Sequence, residues 1–314
     1  MATTIDILMA TYQGAAFLEA QINSILEQSY TDWRLLIGDD GSSDDTLKII
    51  STFIEKDPRI TLIPKKSNET TPLGAIGNFS RLMSEATAPY IMFCDQDDVW
   101  FSDKIEKTLE QMHALEKQYG QSKPLLIHTD LYVVDEDLDP ISPSLWRYAS
   151  LLSRRYLSLN RLLAQNVVTG CTMMLNRPLL DLAQPIPVGV CMHDWWIALV
   201  AVAFGHMGCV QEPTMDYRQH GQNSVGAKPY GFWSGIKKLL KERKSTKPKI
   251  RDNRSIQAKL FLERYRDRLD PTKREMLEAF EIYCHGSPFE KWKVMRKYGF
   301  YKSGWLRNMH EIFS

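Results

Sequence analysis

Short apolar runs alternate with stretches of helical periodicity over residues 5–118. Residues 5–11 (IDILMAT) are apolar, short and closed by a polar turn, which predicts a buried strand. Over 15–28, Phe17, Leu18, Ile22, Ile25 and Leu26 recur at helical spacing. Residues 33–40 (WRLLIGDD) predict a second strand, and 46–56 (TLKIISTFIEK) a helix that Asp44 or Asp45 can cap. A third strand over 60–64, a helix over 75–86, a fourth strand over 89–95 and a helix over 101–118 follow. Such alternation predicts an α/β fold, a mostly parallel central sheet flanked by helices. Ligands of these sheets bind at the carboxyl ends of the strands. Thr11 and Tyr12, Asp39 and Asp40, and Asp95 to Asp98 therefore converge on one rim.

Beyond residue 120 the pattern is less regular. Residues 124–137 predict one or two strands, 171–177 another, and 193–205 (HDWWIALVAVAFG) an apolar helix with a polar start. HMGCVQ and TMDYRQH read as two late strands, and from about residue 229 the chain becomes helical and basic, with breaks near Pro248, Pro271 and Pro288. The expected organisation is one α/β domain over 1–227 and a helical C-terminal extension over 228–314. Net charge sharpens this division. The chain totals +1, but residues 1–227 carry about −11 and residues 228–314 about +12.

With 44% hydrophobic and 25% charged residues the chain matches ordinary globular proteins. No stretch reaches a membrane-spanning length of apolar residues, and no secretory leader is expected. The five cysteines form no C-x-x-C pair, which argues against a zinc site or a disulfide framework and for reduced thiols.

The chemistry concentrates in IMFCDQDDVW (91–100), which places three carboxylates within four residues. Alternate residues at a strand end leave on the same side, so Asp95 and Asp97 can point together. A divalent cation would remove their repulsion, and oxygen ligands suit Mg2+ or Mn2+ better than zinc. A calcium loop would need an oxygen ligand and a glycine where Val99 and Trp100 stand. The plainer alternative is an acidic turn before a helix that Ser102 or Asp103 could cap. IGDDGSSDDT (37–46) suits a turn and helix start equally with an Asp that accepts from a base or ribose. Neither G-x-G-x-x-G nor G-x-x-x-x-G-K occurs.

Residues 7–46 (ILMATYQG through IGDDGSSDDT), followed by GNFSRLM and YIMFCDQDDVW, closely resemble the family 2 glycosyltransferases, most of all the bacterial rhamnosyltransferase-like group. The resemblance covers roughly residues 4–225. It implies the GT-A nucleotide-sugar-binding fold. It also implies that Thr11 and Tyr12 hold the nucleotide, with Gln13 in place of the common Asn. Asp39 and Asp40 would read the pyrimidine and ribose. Asp95 and Asp97 would form the D-x-D motif meeting metal, ribose and diphosphate, and Asp98 would support their loop. The family's base, in an E-D pair at the start of an acceptor-side helix, falls on Asp194, with His193 replacing the first carboxylate. Asp194 would act as general base; an ordinary helix cap is the alternative. Thr169 and Gly170 would line the acceptor site. Trp195 would either floor it or pack in the core. In YRQHGQNS (217–224), Arg218 would clamp phosphate and His220 ligate the metal.

The expected activity is an inverting, metal-dependent transfer from a nucleotide-sugar donor, dTDP-rhamnose first and a UDP-linked sugar second, to a saccharide or lipid-linked saccharide acceptor. A nucleotidyltransferase and a silent binding module are the other classes. A nucleotidyltransferase would usually carry a basic Gly-rich N-terminal loop, and none is present. Residues 232–255 mix aromatics and bases, as a helix on an anionic membrane surface would. The resulting expectation is a cytoplasmic enzyme with peripheral contact at the inner membrane face, and no nucleic-acid partner.

Overall fold

A computed structural model describes residues 4–65, 72–151, 157–221, 226 and 250–313. Strands β1 (Ile5–Thr11), β2 (Trp33–Asp39), β3 (Ile60–Leu62) and β4 (Tyr90–Cys94) alternate with helices α1 (Leu18–Leu26), α2 (Thr46–Lys56) and α3 (Gly74–Glu85). β5 (Val99–Trp100), α4 (Lys104–Tyr119), β6 (Leu125–Val134), β7 (Pro140–Ser142), α5 (Leu145–Tyr148) and α6 (Leu159–Ala164) follow. Then come β8 (Met174–Asn176), α7 (Arg177–Ala183), α8 (His193–Phe204) and β9 (His206–Arg218).

The sheet order is β3-β2-β1-β4-β8-β6-β9-β5, with β7 on β6. β3, β2, β1 and β4 are parallel, their interior positions mostly apolar and buried on both faces, the exceptions being the paired Asp6 and Arg34 and the exposed Thr61 of β3. β8 enters antiparallel to β4 and β6, while β6 and β9 run parallel. The register fixes the rim: Thr11 pairs with Asp39, and Met9 with Cys94, the residue before Asp95.

Residues 206–218 form one strand rather than two, because Pro213 sits where the register with β6 shifts opposite Asp130. A strand proline is tolerated at such an irregularity, since no ladder donor is lost. The α2 cap also differs in detail. Asp45 occupies the cap position without a side-chain bond, and Asp44 instead accepts from the Thr46 amide and hydroxyl.

Four C-terminal helices are described: Ile250–Tyr265, Pro271–His285, Pro288–Tyr298 and Trp305–Phe313. The expected breaks near Pro271 and Pro288 are present: each proline is the first residue of a new helix, following a cap, Asp270 and Ser287, whose side chain accepts a first-turn amide. The expected basic helix over 232–255 lies mostly outside the described residues. The C-terminal helices share one core with α8. The Trp196 ring meets Phe261 edge-on at 5.4 Å and stacks with Tyr265 at 5.9 Å. Burying side chains of this size stabilises by about 2–3 kcal/mol each. Among the described residues no helix is long and apolar enough to cross a membrane.

At the end of α8, a methyl group on Gly205 would collide with the Pro124 carbonyl oxygen, a backbone atom that cannot swing away. Gly205→Ala should therefore destabilise the fold by about 3 kcal/mol, read from urea unfolding midpoints; a change within the noise of that measurement would contradict the packing described.

Candidate active site

The loops after β1 and β2 are sewn together by short polar side chains. Gln13, at φ 51°, accepts the amides of Ser43 and Asp44 and donates to the Ser43 hydroxyl. The Gly14 amide meets Thr46 Oγ1 at 2.8 Å, and the Ala15 amide meets Asp44. Gln96 clamps the β1 end to the β4 loop, accepting the Tyr12 amide at 2.8 Å and donating to its carbonyl at 3.0 Å. A methyl group on Gly14 would strike the Gln96 carboxamide, so the clamp requires glycine there. Tyr12 is left 52% exposed, its ring available to a ligand.

The four rim carboxylates expected to bind ligand sit in different surroundings. Asp39 accepts from the Thr11 and Ser42 hydroxyls and from the Gly41 and Ser42 amides, at 2.6–3.0 Å. Four bonds fill a carboxylate's capacity, so Asp39 organises this loop. Asp40 accepts the amides of Leu73 and Gly74 at the start of α3, with Lys65 Nζ 3.5 Å away. Asp97 Oδ2 lies 2.7 Å from His220 Nε2. Asp95 is half-buried; desolvation first, then the charges of Asp97 and Asp194, push its carboxyl up to about 7. Asp98 is fully buried and accepts the Arg218 amide at 3.2 Å. Its Oδ2 has no hydrogen bond, and burial drives its pKa well up.

Arg218 is held by the protein. Its Nε donates to the Asp97 carbonyl at 2.9 Å, another nitrogen donates to the Glu136 carbonyl, and the guanidinium lies 4.7 Å over Phe17. The His220 ring meets the same phenylalanine at 4.7 Å. Arg218 thus fixes the Asp97 loop from behind.

Asp194 is the second residue of α8, two residues beyond its N-cap, Met192. Asp194 is buried, accepts the Trp195 and Gly170 amides, and is bonded by Asn166. Burial nonetheless pushes its pKa up to about 7. His193 is buried between Phe79 and Phe93, at 4.2 and 5.3 Å. Desolvation pushes its imidazole down to about 3, so it is neutral. Trp195 donates its indole N–H to the Leu162 carbonyl at 2.7 Å and packs on the main core, which is the packing alternative. Gly170 opens a 3-10 turn, Gly170–Thr172, preceded by half-buried Thr169. This turn joins the two halves of the site: Gly170 bonds Asp194, and the next residue, Cys171, bonds Asp95 and Asp98.

Oxygens of Asp95 and Asp98 lie with the Cys171 sulfur within 4.8 Å of one another. Burial keeps that thiol protonated, so the usable donors are carboxylate oxygens, a set suited to a hard cation such as Mg2+ or Mn2+. Asp95 belongs to this group and also feels the charge of Asp97, which is paired with His220.

Sequence reasoning overlooked Gln96, Asn166, Cys171 and Lys104. Lys104 is fully buried, its Nζ bonded to Thr214 Oγ1 at 3.1 Å, 3.5 Å from the Met215 sulfur and 4.9 Å over the Trp100 ring. Desolvation lowers its pKa to about 8 although Cys171, Cys94 and Asp98 act to raise it. The available signal was a lysine directly after an acidic cluster, DQDDVWFSDK, at the start of an amphipathic helix.

The sequence model described as "Glycosyl transferase family 2" matches residues 6–181. The dTDP-rhamnosyl transferase RfbG of Shigella flexneri is 28% identical over 70% of this chain and 74% of its own. The UDP-Glc:alpha-D-GlcNAc-diphosphoundecaprenol beta-1,3-glucosyltransferase WfgD of Escherichia coli is 35% identical over 34% of this chain and 40% of its own. Among solved structures, residues 1–349 of S. aureus TarS in complex with UDP-GlcNAc share the fold. Their TM-score is 0.54 at 14% identity, covering 98% of this chain and 90% of that one.

Asp95 and Asp194 give the ligand-free protein a defined pH response. Their pKa values are about 7 when folded, against an ordinary ~3.9 when unfolded. Between pH about 4 and 7 the folded state keeps protons at these two carboxyls that the unfolded chain has released, so their contribution to stability falls as pH rises through that window. Buried His193 and His128, pushed down to about 3 and 4, contribute with the opposite sign. Asp194→Asn removes one of the falling contributions, so urea midpoints of the variant should drop less, or rise more, than those of wild type as pH increases across the window; an unchanged slope would mean that Asp194 titrates normally.

Proposed function

Because the chain belongs to glycosyl transferase family 2, we propose that it moves a sugar, with inversion, from a pyrimidine nucleoside-diphosphate donor to a saccharide acceptor in cell-surface polysaccharide synthesis. The observation that carries this reading is the electrostatic contact between Asp95 and Asp194 through the Gly170–Cys171 turn. It joins an acidic, cation-ready loop to a carboxylate poised near neutral pH. dTDP-rhamnose is the preferred donor, supported by the likeness to RfbG. A UDP-sugar is the second reading, supported by the likeness to WfgD.

Donor binding uses the exposed Tyr12 ring and the loop that Thr11, Gln13, Asp39 and Gln96 hold in place. A direct contact from Asp39 or Asp40 to base or ribose would exchange one of the protein bonds described above. Asp95 and Asp97, with His220 beside them, would hold Mg2+ or Mn2+, which supplies Lewis-acid neutralisation of the departing diphosphate. Arg218 keeps Asp97 in position. Asp194 accepts the proton of the acceptor hydroxyl as that oxygen bonds to the anomeric carbon. The bond from that carbon to the diphosphate breaks, and its electron pair leaves with the nucleotide. A carboxylate at about 7 is both ionised often enough and basic enough for this task. Thr169 and Gly170 line the path of the acceptor.

The reading is tested by thermal shift with UDP-, dTDP-, GDP- and CMP-sugars, with and without Mn2+. A pyrimidine diphosphate-sugar should stabilise the protein, and a chelator should weaken the effect. A preference for GDP or CMP ligands would overturn the donor class. Asp194→Asn should lower transfer by about 10³-fold while donor affinity stays within a few-fold. Turnover at the wild-type level would remove Asp194 as the base. The wild-type rate should rise with pH through about 7 as Asp194 ionises.

A further inference from the structure

Away from the site just described, exposed apolar side chains gather on the last two helices. Trp305, Met309 and Phe313 are 68%, 43% and 67% exposed and recur every fourth residue, forming one stripe along helix Trp305–Phe313. The other side of that helix buries Glu311 and Ile312, with Glu311 paired to Arg254 and Lys302. The helix is therefore pinned through a buried ion pair and turns its apolar face to solvent, the reverse of ordinary packing. Helix Pro288–Tyr298, packed beside it, exposes Phe289 (71%) and Trp292 (43%). Their rings stack at 6.1 Å, and the Arg296 guanidinium lies 5.1 Å over Trp292. Lys293 and Arg296 are exposed on the same helix.

Aromatic side chains interleaved with cations suit the boundary between lipid headgroups and acyl chains. We propose that this face docks on an anionic phospholipid bilayer, the aromatic rings entering the boundary and the basic side chains meeting lipid phosphate. Charge selects this occupant over a second copy of the chain. Residues 250–314 carry about +5, with Lys293 and Arg296 beside the exposed rings, which a self-association would bring together and an anionic surface neutralises. The proposal rests on the proposed function only for its purpose, access to a lipid-carried acceptor. The surface itself stands on the exposures.

The test uses the full chain with vesicles of phosphatidylcholine alone and of phosphatidylcholine mixed with phosphatidylglycerol. Wild type should float with the mixed vesicles, and acyl-brominated lipid should quench its tryptophan emission. W305E/F313E and F289E/W292E should each reduce the bound fraction by about tenfold. Their melting temperatures and their transfer to a water-soluble acceptor should be unchanged. W305S/F313S replaces the first pair if the glutamates disturb folding. Wild type that ignores mixed vesicles, variants that bind as wild type does, or a wild-type dimer that the variants dissolve without any vesicle binding would each overturn the proposal. Flotation is read without turnover, so absent transfer with normal flotation would count against the enzymatic reading alone.

Discussion

Everything at this rim follows from the need to hold six carboxylates, Asp39, Asp40, Asp95, Asp97, Asp98 and Asp194, around one edge of a folded sheet. Like charges brought together and desolvated cannot all remain ionised without partners. The protein answers differently at each position. Hydroxyls and amides saturate Asp39. The start of α3 takes Asp40, where two free amides favour a negative charge. An imidazole faces Asp97. At Asp95, Asp98 and Asp194 burial outweighs the hydrogen bonds they accept, and their pKa values rise. The carboxylates with structural work are thereby separated from those whose burial is not offset by positive charge.

The same constraint explains Lys104 and His193. The buried Lys104 ammonium adds a fixed positive charge that interacts with Asp98, placed by Thr214 and the Trp100 face instead of by a direct carboxylate pair. Its field eases the cluster without occupying a ligand position. At 193, where the resembling family carries a carboxylate, another acid would add a seventh charge beside Asp194. Here a neutral imidazole stacks between two phenylalanines. The substitution moves that position from electrostatics to packing and leaves Asp194 as the carboxylate of the pair.

Most of the parallel half was legible in the sequence because each strand there is a short apolar run ended by polar residues. The register then carries Thr11, Asp39 and Asp95 to one rim with no further information. Less legible were features decided by tertiary contact. HMGCVQ and TMDYRQH read as two strands, but Pro213 between them falls on a register shift against Asp130 that leaves one strand. Which oxygens of Asp39 and Asp40 are already taken depends on loops that meet across 2 to 34 residues of chain. No local pattern encodes that. The Gly170–Cys171 turn was read only for its glycine, because a buried thiol between two carboxylates has no sequence signature.

The position of Asp194 depends on more than its own helix. α8 is apolar nearly all round, so it is fixed by burial on every side. Trp196 packs against Phe261 and Tyr265 of the first C-terminal helix, and Trp195 is tied to α6 by its indole. The Arg254–Glu311 pair then links that C-terminal helix to the one whose outer face carries Trp305 and Phe313. A continuous chain of packed and charge-paired groups therefore runs from the carboxylate on the acceptor side to the exposed aromatic face. Because interiors are close-packed, these elements hold one another in fixed relation. The C-terminal helices are thus part of what aims Asp194, and an acceptor presented at their outer face would meet a site already oriented with respect to it.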